Sequence, residues 1–400
     1  MKKQLLATII GLNAAALTAS ASAATPSMEE MWELIQQQQA EIQTLKAELG
    51  KNTQQIKETQ TRVTATADAV ESVSSVSTKL ASWVERTSIG GYGEHHFNHI
   101  EDDNDQIDAH RYVLYFAHQF TDDLRFFSEF ELEHSLAGDG KPGEVELEQA
   151  FIEWDFADNH RVQIGQFLIP VGILNETHEP DTFYGTERNN VEKEIIPATW
   201  WETGVMVTGE IAPGLSYNAA IHSGLEVPNS FRIRSGRQKS AEANAEDLAF
   251  TGRLKYTGIP GLELAATIQH QQDITQGSTT FSESAEATLF ETHLAYQGDR
   301  FGLRALYANW DIDGDDAETA EADSLDGWYV EPSFKITPKL GIFARYSEFE
   351  RGDKSDTDYD TWDYGINYWL HPRVVLKADY SDSVGDAESD AFNLGVGWSF

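Results

Sequence analysis

At 400 residues, with 66 Asp and Glu against 29 Lys and Arg, the chain carries a net charge of −37, almost all of it beyond Arg86. That balance excludes nucleic acid as a partner, because binding a phosphate backbone requires a basic footprint. The absence of cysteine removes disulfides, thiolate metal sites and thiol nucleophiles together.

The first residues read as an export signal. Lys2 and Lys3 precede an apolar run from Leu5 to Leu17 that ends in Ala21-Ser22-Ala23, the pattern of a secretory signal peptide over residues 1–23 cleaved after Ala23. The run is shorter than the roughly 20 residues of a spanning helix, and no other long apolar stretch follows. Any membrane insertion must therefore use strands.

Residues 24–86 are predicted to form an α-helical coiled coil. One heptad frame places Ile35, Ile42, Leu49, Ile56, Val63 and Val70 at a, and Met31, Leu45, Val73 and Leu80 at d. Gln38, Asn52, Thr59 and Thr66 make the rest of the d layer polar, which lowers stability and can fix register. The pattern implies self-association, and β-branched a positions allow two or three strands. An amphipathic helix packed on its own chain is the alternative.

From Ser88 the period changes to two. The last segment alternates Phe392, Leu394, Val396, Trp398 and Phe400 with Asn393, Gly395, Gly397 and Ser399, so one face suits lipid and the other water. Sixteen such segments can be placed between Tyr92 and Val396, and seven short turns recur between them. These are Thr121–Asp123, Ala157–Asn159, Ala212–Gly214, Gly258–Pro260, Gln297–Asp299, Thr337–Lys339 and His371–Arg373. Long connections alternate with them, notably Leu168–Thr199 and Glu226–Glu246. The expected fold is all-β and transmembrane: a 16-stranded antiparallel outer-membrane β-barrel over residues 87–400, with the coiled coil ahead of it. A soluble sandwich or propeller also alternates, but its strands average about five to six residues.

Strand parity assigns the pore lining. Arg111, Arg125, Arg253, Lys255, Arg304, Arg345 and Lys377 point inward, with Arg161 and Lys335. So do Glu129, Glu131, Glu133, Glu153, Glu291 and Asp363. A mixed wall either sets a transverse field or pairs internally. Enzyme chemistry finds little support: Ser128 and His134 share a strand with no triad spacing, and His95, His96 and His99 cannot all face one way on a strand. No catalytic residue, metal site or cofactor is expected.

Four runs carry a family resemblance: Gly90-Gly91-Tyr92-Gly93-Glu94, Phe126–His134, Gly143–Ala150 and Pro197–Gly204. They resemble the phosphate-selective porin O and P family. The resemblance implies a homotrimer of sixteen-stranded barrels in the bacterial outer membrane, each with its third external loop folded into the lumen. Strand counting puts Leu168–Thr199 in that position. Phe400, after its aromatic alternation, looks like the signal read by the barrel-assembly machinery. A trimer would make the coil three-stranded; because the coil precedes the first strand it is expected to hang in the periplasm, with the cell wall or another periplasmic component as a partner beside outer-membrane lipid. The implied function is a water-filled channel for passive diffusion of small hydrophilic solutes and ions, phosphate among them. The constriction loop departs from the family's basic ladder: Glu176, Glu179, Asp181, Glu187, Glu192 and Glu194 stand against Arg188 and Lys193. A general or cation-preferring pore with a structural or adhesive coil is therefore the alternative. Arg232-Ile233-Arg234-Ser235-Gly236-Arg237-Gln238-Lys239 reads as an anion-recruiting or lipid-phosphate contact, or as a solvated loop.

Overall fold

A computed structural model describes residues 27–351, 358–385 and 390–400, so the signal peptide expected over residues 1–23 lies outside the described residues. The chain divides into two units, residues 1–82 and 83–400.

Helix α1, Met28–Glu85, is 58 residues long. A capping box starts it: the Glu30 amide donates to Ser27 Oγ at 3.2 Å and the Ser27 amide to Glu30 Oε2 at 2.8 Å. Ile35, Ile42, Leu49, Ile56, Val63 and Val70 form a continuous apolar stripe that is half or more exposed. Such a stripe on a helix of this length leaves its hydrophobic stabilisation unused until another surface covers it.

The second unit is a closed barrel. Its strands are β1 (Thr87–Ile100), β2 (Gln106–Gln119), β3 (Leu124–Glu133), β6 (Val145–Ala157), β7 (His160–Leu168), β8 (Trp201–Ala212), β9 (Leu215–His222) and β10 (Ala249–Tyr256). The circuit continues through β11 (Leu262–Gln271), β12 (Glu286–Gln297), β13 (Phe301–Asp313), β14 (Ser324–Thr337), β15 (Leu340–Glu350), β16 (Asp358–His371), β17 (Val374–Gly385) and β18 (Ala391–Ser399). Two very short strands, β4 (Ala137–Gly138) and β5 (Lys141–Pro142), form a hairpin outside the wall. The sixteen wall strands are antiparallel throughout, and β1 closes the circuit against β18 with Tyr92 opposite Ser399. Phe400 seals the seam, its amide donating to Gly91 O at 2.8 Å. Closure leaves no unpaired sheet edge to expose to lipid.

All seven short turns occur where the sequence places them. Left-handed Asn159 and Gly214 make two of them tight, with φ of 59° and 76°. Register shifts at Asp155/Ala157, Glu210/Ala212, Lys335/Thr337 and Trp369/His371 all fall at this rim, where bulges bend strands into turns.

The burial pattern is inverted relative to a water-soluble protein. Leu254, Ile268, Phe290, Ile366, Leu376 and Leu394 are exposed outside, while their neighbours Arg253, Thr267, Glu291, Lys377 and Asn393 are buried inside. Only hydrocarbon as the outer solvent makes that arrangement stable. Trp154, Phe156, Tyr296 and Phe301 stand exposed near the short-turn rim, as an interfacial girdle requires.

The apolar core lies inside the lumen. Ile169, Val171, Ile195, Ile196 and Trp200 from the long connection pack with Leu225 and Ile233 of the following external loop and with Leu289, Leu306, Trp310, Leu325 and Tyr329 of β12, β13 and β14. This packing occupies the lumen beside β12, β13 and β14.

Candidate pore constriction

The loop between β7 and β8 is shaped by its own side chains. Asn175 ties its neck, donating to Ile169 O at 2.8 Å and Trp200 O at 2.9 Å while its Oδ1 accepts from the Trp200 amide at 2.6 Å. Glu192 lies on the single-turn helix α2 (Asn190–Glu194), where its carboxylate accepts the Ile173 and Leu174 amides and the Tyr329 hydroxyl. Burial pushes the Glu192 carboxyl upward, and the Tyr329 hydroxyl and Leu174 amide only partly offset it.

From that neck the loop crosses the lumen. His178 O accepts from Arg111 of β2 at 2.6 Å, Thr182 O from Arg304 of β13 at 2.8 Å, and Phe183 O from Asn367 of β16 at 3.1 Å. Gly185 O accepts from Lys377 of β17 at 2.7 Å, and the Thr186 amide donates to Asp379 at 2.7 Å. Small residues on the wall make room. A Cβ at Gly395 would meet Thr186 at 3.0 Å, and one at Gly397 would collide with Pro180.

Every acid of this loop has a donor. Glu176 pairs with Arg253, Glu179 accepts from the Tyr115 hydroxyl at 3.3 Å, and Asp181 from Ser399 at 3.0 Å. Glu187 meets His96 at 2.9 Å and Asn98 at 3.0 Å, and Glu194 pairs with Arg232 at 2.6 Å. Burial works against the Glu187 charge, but the hydrogen bond and charge of His96 outweigh it and hold the carboxyl at about 2. Because that value is below the unfolded one, the contact contributes stability that is full above about pH 4.5 and is lost as pH falls toward 2. Open-channel current noise is therefore expected to rise as pH drops below about 4, and Glu187→Gln to show elevated noise already at pH 7; single-channel recording over pH 3–7 checks this.

The wall charges sort into paired and unpaired sets. Arg125 bonds Glu153 at 2.5 Å and Asp155 at 2.7 Å, and Arg345 bonds Glu331 and Asp363 at 2.9 Å each. Lys255 lies 3.6 Å from Glu263, and Glu291 lies 2.6 Å from His293. Glu129 is held by Gln149 at 2.6 Å, while Glu131 and Glu133 stand with Glu146 in an acidic patch. Other cations meet neutral groups. Arg304 bonds a carbonyl, Lys335 lies 5.4 Å over the Trp369 ring, and Arg188 bonds the Thr199 hydroxyl at 2.6 Å. Arg304 and Lys335 border a compartment of about 500 Å³ at the short-turn end of the lumen.

The basic run at 232–239 is committed to the constriction. Arg234 donates to Lys193 O and Ala198 O, Arg237 to Pro197 O and Thr199 O, and Lys239 pairs with Glu144 and Glu146. The cluster clamps the base of the loop. At the other end, His96, His110 and His134 come together beside Asp108 from three separate segments, a grouping that the local spacing of His95, His96 and His99 did not foreshadow.

A family model described as phosphate-selective porin O and P matches residues 90–393. The chain belongs to the phosphate-selective porin O and P family. Among relatives, this porin is 30% identical over 360 residues to an uncharacterized protein of Aquifex aeolicus, covering 78% of its own length and 80% of that chain. Its fold is also that of Salmonella typhi OmpF in complex with daunomycin, at TM-score 0.58 and 12% identity over 78% of this chain and 97% of that one. The anion-selective porin of Comamonas acidovorans gives TM-score 0.56 at 9% identity over 78% and 99% of the two chains. The trimer form of Vibrio cholerae OmpT gives 0.55 at 14% over the same shares. Family and barrel together make this porin a channel for passive diffusion in the outer membrane.

Sequence parity placed the charged wall residues without their partners. The apolar packing within the lumen was missed, and its signal was present: Leu289, Leu306, Trp310 and Leu325 occupy inward positions that water alone would not favour.

Proposed function

We propose that this porin conducts small hydrophilic anions, inorganic phosphate among them, in preference to cations. The observation that carries the reading is that Glu176, Glu187 and Glu194 of the constriction loop pair with Arg253, His96 and Arg232, and burial pushes Glu192 toward its neutral form, whereas Arg304, Lys335 and Arg188 are bonded to a carbonyl, a ring and a hydroxyl and keep their charge for a passing ion. In a narrow lumen such charges act with little screening. The family description and the selectivity named for the Comamonas porin support the same sign. The pore-lining, constriction-loop and Phe400 assignments belong to this proposal, as does the absence of a catalytic role. Purified protein in a planar bilayer under a tenfold potassium chloride gradient should give a reversal potential of the anion-selective sign. The opposite sign would make it a cation-preferring pore, and no stepwise conductance would defeat the channel reading.

We further propose that three copies assemble in outer-membrane lipid and that α1, freed of residues 1–23, forms a three-stranded coil on the periplasmic side within reach of the cell wall. The exposed a-position stripe supports this, since three helices bury it mutually. Removing residues 28–82 is expected to lower the temperature at which the trimer dissociates on unboiled detergent gels while leaving single-barrel conductance in place.

A further inference from the structure

Where the constriction loop leaves β7, one of its side chains meets two wall carboxylates in an arrangement that hydrogen bonding does not explain. His178 Nε2 lies 3.7 Å from Glu129 Oε1 of β3 and 3.5 Å from Glu148 Oε2 of β6. All three side chains are nearly inaccessible, at 3%, 1% and 1% exposure. The separations are too long for hydrogen bonds, and both His178 Nε2 and Glu148 Oε2 are buried without a hydrogen-bond partner. A buried carboxylate oxygen and a buried ring nitrogen left facing each other call for an occupant.

We propose that Glu129, Glu148 and His178 bind a divalent transition-metal ion of the zinc class, which fastens the start of the constriction loop to the barrel wall. The three candidate ligand atoms lie within 4.8 Å of one another. With metal–nitrogen and metal–oxygen bonds of about 2.0 to 2.2 Å, the edge of a tetrahedron is about 3.4 Å, close to the two distances here. The surroundings are those of a ligand set. His178 Nδ1 faces Asn175 O at 3.1 Å, and a carbonyl can only accept, so Nδ1 carries a proton; in the neutral form of the ring the Nε2 lone pair then points at the carboxylates. Glu129 is oriented by Gln149 at 2.6 Å through its other oxygen. Glu131 adds a further buried oxygen without a partner, and water or that carboxylate completes the coordination. One imidazole with two or three carboxylates suits zinc better than calcium, which takes six to eight oxygens.

The test uses full-length porin refolded in detergent and carrying His110→Asn and His134→Asn, so that the other histidine cluster cannot contribute. After chelator treatment and equilibration with zinc chloride, metal content is read by mass spectrometry and affinity by calorimetry; neither depends on channel selectivity. One zinc per chain is expected, with affinity reduced at least tenfold in His178→Gln and in Glu129→Gln, each first shown to be folded by heat-modifiable gel migration. Cobalt in place of zinc should give the intense visible absorption of a four-coordinate centre in the parent and lose it in His178→Gln. Equal zinc uptake by parent and variants, or none by a folded parent, overturns the proposal and leaves the imidazolium as the sole answer to the carboxylates.

Discussion

Replacing Arg304 and Lys335 together by glutamate is expected to reverse the sign of the zero-current potential under a tenfold salt gradient. Both side chains border the lumen compartment at the short-turn end, which Asp181 and Glu331 also line, and are held by a carbonyl and an aromatic ring rather than by an ion pair with a carboxylate. Unit charges about 7 Å apart interact by roughly 0.6 kcal/mol even at the dielectric constant of water. The double substitution changes the local charge by four units, on the order of 2 kcal/mol, and the anion-to-cation permeability ratio should fall by at least about tenfold. Salt must weaken the effect, because the screening length drops from about 10 Å at 0.1 M to about 3 Å at 1 M. The comparison belongs at low salt, with Arg125→Glu as the reference: Arg125 is already bonded to Glu153 and Asp155, and its replacement should act mainly on stability. An unchanged reversal potential in the double variant would remove these two residues from ion selection.

Arg345→Met is expected to be the most damaging single substitution in the wall. Arg345 is buried between Glu331 and Asp363, bonded to each at 2.9 Å, and Asp363 also accepts from Ser381. Methionine fills much of the volume but leaves two buried carboxylates facing each other, a loss of about 3 to 5 kcal/mol where water does not reach them. Lumen water will reduce that figure. The urea midpoint for loss of heat-modifiable migration should fall accordingly, while Arg345→Met combined with Glu331→Gln and Asp363→Asn should recover most of it. Failure of the triple variant to recover would mean that packing against Phe343, rather than charge, is what Arg345 supplies.

These two arginines differ in a way that strand alternation cannot express. Parity directs Arg304 and Arg345 alike toward the lumen. It does not state that Arg345 meets two acids while Arg304 meets the back of a loop. The same holds for the acids of the constriction: read as a run, Glu176 to Glu194 is strongly negative, yet Arg253, His96 and Arg232 reach them from β10, β1 and the next external loop. The basic run at 232–239 is the mirror case, an isolated cationic segment in sequence and a clamp on backbone carbonyls in space.

The sequence by itself determined the barrel: the number and order of its strands, the seven short turns, the heptad helix and the family. All of these rest on local rules, since alternation, turn chemistry and heptad spacing are satisfied by neighbours a few residues apart. Only the tertiary structure decided which charges remain available to an ion. The loop that returns across the lumen brings together groups as distant as His96 and Glu187, or Thr186 and Asp379. Charge compensation depends on those distances through space, and no period along the chain encodes them.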